Sequence, residues 1–530
     1  VIFKFIEEKG GNTIMSNNKE INKANASYYF IDRHLNSKIE SKNVFVEAIP
    51  DGRSITYKEL SIETNKIIDL LTKFNVRREE RVLMLVLDQI EFPIIFWGCL
   101  KAGVIPVPIN TLLSKEVIEI ILEDCRANTI FISEELIKLI TNSTKICSEI
   151  ENIFIIGKNR NNEQFKNFKK EIKKCVEKKP IIVSKDEPAF WLYSSGSTGE
   201  PKGVIHAHGS LLNTFETYAS KVLDIQESDV VFSVAKLFFA YGLGNAMTFP
   251  MGVGATTALY PLRPTPDTVN EVMMLIKPSI LFAVPTIYAA MTAKLKKTPV
   301  KYQNLRICVS AGEALPFQIG TDWKKITVID ILDGVCSTEM LHIFLSNKPN
   351  DITYGTSGSA VPGYDLKLVD ENGEDVAVGE IGELLVKGES SAMCYWNKLT
   401  KSRNTFEGEW TRTGDKYEKL NNEKYIYSGR TDDMFKVSGI WISPFEVEQA
   451  LVSHDLVLEA AVVAKQDNEG LDKPCAFVIL NENINKTDKE EILKEHVKNK
   501  VGKWKYPRWI NFVSELPKTA TGKVQRFKLR

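Results

Sequence analysis

The chain has 530 residues, with 68 basic and 68 acidic side chains that cancel, 43% hydrophobic residues and 26% charged ones. That length exceeds one compact core, so two or more domains are expected, and the composition is that of an ordinary globular protein. Balanced charge gives no bulk attraction to nucleic acid or an anionic membrane, no apolar run reaches the roughly 18 residues of a membrane span, and eight scattered cysteines with no C-x-x-C pair suit free thiols in a reducing cytoplasm.

Residues 1–14 read as a leader that is non-native or untranslated. The segment from Val1 to Ile6 lacks the basic and long apolar regions of a signal peptide. Lys9-Gly10-Gly11-Asn12 reads as a translated ribosome-binding site ahead of Met15. From Ala24 onward the pattern is α/β. The apolar run Arg81 to Leu87 predicts a buried parallel strand. An amphipathic segment follows over 90–102, then a strand at 103–107, and the alternation continues to residue 160. Residues 161–179 are polar and lysine-rich and read as a solvated helix or loop.

The stretch Tyr193 to Gly203 packs three glycines, four hydroxyls and a lysine into eleven residues. Glycines allow close backbone approach to a ligand. Successive N–H groups form an anion nest, and hydroxyls and a lysine add donors for phosphate oxygens. A polar surface turn is the plain alternative. The spacing excludes a Walker A loop, because Pro201 precedes Lys202 and Gly203 follows it.

Short strands are predicted at 230–234, 280–284 and 305–310, each ending at a loop. Open α/β sheets bind ligands beyond the carboxyl ends of their strands. The loops expected there are 237–242, 310–313 and 333–339. In the last, Ser337-Thr338-Glu339 offers a carboxylate beside a hydroxyl, a Mg²⁺ site or a helix N-cap. Residues 352–430 shift to strands with glycine turns, a β-rich subdomain. Within it, Asp415 follows Gly414 in an expected turn; an acidic residue there can accept ribose hydroxyls, and a plain turn with a surface charge is the alternative. The last hundred residues read as a small α+β domain, in which Thr521-Gly522-Lys523 presents a lysine near the chain end.

The 193–203 segment resembles the phosphate loop of the acyl-adenylate-forming enzymes, the superfamily of acyl-CoA synthetases, adenylation domains and luciferases. The segments 238–245, 309–316, 337–346 and 436–446 resemble its benzoate–CoA ligase branch, and the likeness runs from about Ala24 to Arg530. The resemblance implies a large N-terminal domain of α/β layers over 15–431, with the β-rich subdomain at about 352–430, and a small mobile α+β domain over 432–530. It implies that Ser194, Ser195, Gly196, Ser197, Thr198, Gly199 and Lys202 hold ATP phosphates. Ala311, Gly312, Glu313 and Asp333 would sit by the nucleotide, and Asp415 with Arg430 by the ribose. Thr338 would contact phosphate, and Glu339 with Thr198 would bind Mg²⁺. Lys523 would lie over the α-phosphate, where its charge stabilises a crowded anion. Asp432 would be the hinge, and Lys436 and Gly439 would face the site during thioester formation.

The same resemblance puts Ala240, Tyr241, His342 and Ile343 around an aryl slot. Core packing is the alternative for Phe238, Phe239 and Tyr241. Two departures stand out. The branch usually has Gly at Cys336, so a side chain there should intrude on the slot. The superfamily often stacks adenine on an aromatic near Val335. The implied reaction activates a small aromatic acid of the benzoate or hydroxybenzoate type as acyl-AMP, then transfers it to CoA. Loading the phosphopantetheine arm of an acyl carrier protein is the alternative, and a non-catalytic nucleotide- or acyl-binding protein is a third reading.

Overall fold

A computed structural model describes residues 24–50, 52–141, 150–158, 165–195, 200–437, 440–481, 488–518 and 524–530. The leader reading at 1–14, with Val1 and Met15, lies outside them. The molecule is mixed α/β, with a large N-terminal and a small C-terminal domain.

Among the described residues, nine strands form the largest sheet. Its centre is parallel, in the spatial order Ile331–Cys336, Ile307–Ala311, Ile280–Ala283, Val230–Ser233, Thr256–Leu259 and Asn43–Glu47. Ile343–Ser346 and Ser359–Ala360 extend one edge antiparallel. A second, all-parallel sheet joins Ile105–Pro108, Arg81–Leu85, Thr129–Ser133, Asn152–Ile156 and Lys166–Asn167. Runs such as Val82 to Leu85 are buried on both faces, as a helix-covered parallel sheet requires.

The helix Glu91–Ala102 departs from the amphipathic expectation. Phe92 through Lys101 are all buried, so it is a core helix, hydrophobic all round. Its one buried charge, Lys101, is held by Asp32 at 2.8 Å and Asn65 at 2.9 Å. Over 165–179 the lysines Lys169, Lys170, Lys173, Lys174, Lys178 and Lys179 are exposed, as the solvated reading expects. A short helix, Phe168–Ile172, buries Phe168 against Phe131.

The hairpin Pro188–Ser195 and Pro201–Ala207 pairs with Cys394–Tyr395 in a small three-stranded sheet. An antiparallel sheet follows, built on Asp365–Val369, Ile381–Lys387, Trp410–Lys419 and Tyr425–Arg430. The C-terminal domain has its own core, in which Val447, Leu451, Val462, Ala476, Val478 and Leu493 pack together. Among the described residues no helix is long and apolar enough to cross a membrane.

Two expected loops are strands. Asp333 and Cys336 lie within Ile331–Cys336, and the loop starts only at Ser337. Gly414 and Asp415 lie within Trp410–Lys419, where the register against Ile381–Lys387 slips. Gly414, at φ +69°, marks a bulge rather than a turn.

The N-terminal packing depends on a close helix crossing. A Cβ on Gly98 would sit 2.4 Å from Ile67 Cβ in the Tyr57–Lys73 helix. Gly98→Ala is expected to destabilise the protein by about 1–3 kcal/mol, read as a lower urea midpoint for the N-terminal transition. An unchanged midpoint contradicts this crossing.

Candidate active site

Strand alternation decides what the hairpin offers. On Pro201–Ala207 the residues Lys202, Val204 and His206 share one face, and Ser194, Leu192 and Phe190 pair with them across the hairpin. The opposite face carries Trp191 and Ile205 into a separate core with Trp396.

The turn after Ile331–Cys336 rests on the first face. Lys202 Nζ donates to Glu339 Oε1 at 2.7 Å and to the Tyr395 hydroxyl at 2.9 Å. Tyr395 in turn donates to the same Glu339 oxygen at 2.7 Å. His206 Nε2 lies 2.9 Å from the Thr338 carbonyl, and the Ala392 N–H donates to the Glu339 carbonyl at 2.7 Å. Burial opposes ionisation of Glu339, but the Lys202 ammonium and the hydrogen bonds from Lys202 and Tyr395 outweigh it and hold the carboxyl down at about 2. Burial pushes the His206 imidazole down to about 4, so it is neutral at physiological pH. Ser337 caps a turn, accepting from the Met340 N–H at 3.1 Å. No helix follows, so the N-cap alternative does not hold.

Beside this turn, Ser310 and Asp333 are register partners on adjacent parallel strands. Gly312, at φ +95°, ends the strand after Ala311 and precedes Glu313. Burial pushes the Asp333 carboxyl well up, and its Oδ1 has no hydrogen-bond partner. Ser310 Oγ, Ser194 Oγ and Thr431 Oγ1 are likewise buried without partners. Such atoms are rare in folded proteins. Arg430 lies against the bulge, donating to Asp415 Oδ1 at 2.9 Å and to the Thr413 carbonyl at 3.0 Å. A Cβ on Gly414 would sit 3.0 Å from Arg430 Nη2.

The expected aryl slot is an aromatic cluster just past Glu339. The rings of His342 and Tyr241 lie 5.6 Å apart, with Tyr218 and Phe249 also against His342. His342 Nε2 faces Asn245 Oδ1 at 3.0 Å, and burial pushes its imidazole down to about 3. The Tyr241 hydroxyl points at the carbonyls of Ala283 and Val309. The Tyr241 side chain is buried in the main hydrophobic core. Cys336 and Ile343 are cross-strand partners, and Ala240 opens the helix Ala240–Leu243 that carries Tyr241. Phe238 and Phe239 pack edge-on against each other.

Lys523, Gly196, Ser197, Thr198, Gly199 and Gly439, and the side chain of Ser195, lie outside the described residues. Asp432 is exposed in the turn after Tyr425–Arg430, and its carbonyl accepts from Arg530 at 3.3 Å. Lys436 sits 3.7 Å from Glu371 of the N-terminal domain. Sequence reasoning missed Tyr395 and His206. His206 carried a signal, because it shares a strand face with Lys202; Tyr395 lies far along the chain in a two-residue strand and carried none. Among the described residues no cluster of three His, Cys, Asp or Glu could hold a metal. Mg²⁺ commonly takes one or two carboxylates plus substrate phosphates and water, a donor set that Glu339 fits.

Residues 34–396 match the AMP-binding enzyme family, and residues 446–523 match the AMP-binding enzyme C-terminal domain. A 4-hydroxybenzoate–CoA/benzoate–CoA ligase of Rhodopseudomonas palustris is 47% identical over 96% of this chain and 94% of its own. The chain belongs to the AMP-binding enzyme family, in the branch of the benzoate–CoA ligases. Solved structures agree with this placement of the AMP-binding fold. A benzoate CoA ligase from Burkholderia xenovorans LB400 superposes with a TM-score of 0.86 at 43% identity, covering 96% of this chain and 99% of that one. An anthranilate CoA ligase in complex with anthranoyl-AMP superposes at 0.88 with 40% identity, covering 95% and 96%.

The depressed Glu339 carboxyl has a pH signature. Its contribution to stability is fully present above the ordinary carboxylate value of 4.5 and is lost as pH falls toward about 2. The gap in urea midpoint between wild type and Glu339→Gln is expected to stay constant from pH 7 to about 5 and to narrow below about 4.5. A gap that widens on acidification contradicts the ion pair.

Proposed function

We propose that this chain activates a small aromatic carboxylic acid, benzoate or a hydroxybenzoate, with ATP and passes it to the thiol of CoA, giving aryl-CoA, AMP and pyrophosphate. The observation that carries this reading is a juxtaposition. An ionised Glu339 opposed by Lys202 stands three residues from an aromatic cluster around Tyr241 and His342. The imidazole of that cluster is uncharged, which suits a flat acid with a single carboxylate.

A carboxylate is a poor electrophile, so activation comes first. One carboxylate oxygen attacks the α-phosphorus of ATP, and the bond to the β-phosphate breaks to release pyrophosphate. Lys202, Thr338 and the 194–199 loop hold the leaving phosphates. Asp333, with its partnerless oxygen, takes the adenine amino group, and Asp415 with Arg430 takes the ribose. Glu339, with Thr198, would hold Mg²⁺, which would supply neutralisation of phosphate charge. Lys523 places its ammonium over the α-phosphate and the attacked acid. In the second half, the thiolate attacks the acyl carbon, the carbon–oxygen bond breaks and AMP leaves. The two halves need different surroundings, so the 432–530 domain, which carries its own core, pivots at Asp432 and turns Lys436 and Gly439 toward the site. Among the described residues the cysteines are mostly buried and form no disulfide, which supports a reducing cytoplasmic setting.

The test is acid-dependent ATP–pyrophosphate exchange over benzoate, hydroxybenzoates, aminobenzoates and short fatty acids, followed by product formation with CoA against a carrier protein. Exchange is expected with benzoate or hydroxybenzoate, with product on CoA. Lys523→Ala is expected to lower exchange by about 10²-fold or more, and Cys336→Gly to reorder the ring-substituted acids. No exchange with any aromatic acid overturns the reading.

A further inference from the structure

The Lys202–Glu339–Tyr395 triangle joins three separate segments on one carboxylate oxygen, with edges of 2.7, 2.7 and 2.9 Å. A phenol has one proton to give. Tyr395 gives it to Glu339, so its oxygen receives Lys202. Lys202 and a divalent cation therefore draw on the same carboxylate. Two cations on it repel, and neither partner can wait in water, because the Lys202 and Glu339 side chains are only 12% and 15% exposed.

We propose that this ion pair couples metal binding to nucleotide binding. The inference rests on the reading of Glu339 as the metal carboxylate. A divalent ion arriving alone strands the Lys202 ammonium beside a second cation. Polyphosphate arriving alone draws Lys202 away and leaves an ionised Glu339 facing more negative charge. Both states leave a nearly buried charge without a partner, which is costly. When the two arrive together the charges exchange partners. Lys202 passes to phosphate and Glu339 to the metal, while the Tyr395 hydroxyl keeps Glu339 in place. Such coupling is reciprocal between the two ligands.

The test reads binding, not turnover. Mn²⁺ binding to the full-length chain without nucleotide is measured by electron paramagnetic resonance for wild type, Lys202→Met and Lys202→Gln. Removing the ammonium frees Glu339, so both variants are expected to bind Mn²⁺ about tenfold or more tightly than wild type, and Glu339→Gln in the same background is expected to abolish the gain. Equal Mn²⁺ affinity in wild type and the folded Lys202 variants overturns the proposal. If neither variant folds by circular dichroism, wild type decides. Calorimetry with α,β-methylene-ATP is expected to show binding about tenfold or more tighter with Mn²⁺ than with EDTA, and equal affinities overturn the coupling. Benzoate-dependent pyrophosphate exchange on the same wild-type preparation separates the two claims. Exchange with no Lys202 effect overturns the coupling alone. No exchange overturns the aryl-activating reading, while a gain of Mn²⁺ binding in the variants still supports the coupling.

Discussion

A carboxylate taken out of water stays ionised only through what stands beside it, and Glu339 has an ammonium and a phenol at 2.7 Å. Breaking a buried pair of this kind by removing one partner typically costs about 3–5 kcal/mol. The surrounding structure is arranged to prevent that. Lys202 and His206 reach the turn from one strand face, His206 by way of the Thr338 carbonyl, and Ala392 holds the main chain of Glu339. A charge is thereby held in advance at the edge of a buried aromatic cluster.

The larger architecture brings the other groups to the same end of the molecule. Parallel strands share a direction, so the ends of Ile307–Ala311 and Ile331–Cys336 deliver Ser310, Gly312, Asp333 and the 337–339 turn together. The antiparallel subdomain adds Asp415 and Arg430 through one bulge, and Gly414 is what lets the guanidinium lie close. The C-terminal domain packs around its own core and meets the rest through contacts such as Tyr427 with Phe445.

Much of this was legible in the sequence, for identifiable reasons. Buried parallel strands announce themselves as apolar runs, as Arg81–Leu85 does. The core helix Glu91–Ala102 was misread as amphipathic because its single buried lysine looks like a solvent face until Asp32 and Asn65 are seen to hold it. Asp415 looked like a turn residue because a glycine in a bulge and a glycine in a turn have the same local spelling. Tyr395 was invisible for a different reason. Its role depends on a strand pairing with Val204 far back in the chain, and a two-residue strand has no period to read.

In the proposed reaction the aromatic acid's own oxygen attacks the α-phosphorus of ATP and departs with AMP when the thiol arrives. Benzoate labelled with ¹⁸O in its carboxylate, turned over with ATP and CoA, tests this directly by mass spectrometry of the AMP. The expected result is one ¹⁸O per AMP formed, with none in pyrophosphate. Unlabelled AMP, or label in inorganic phosphate released with ADP, contradicts it.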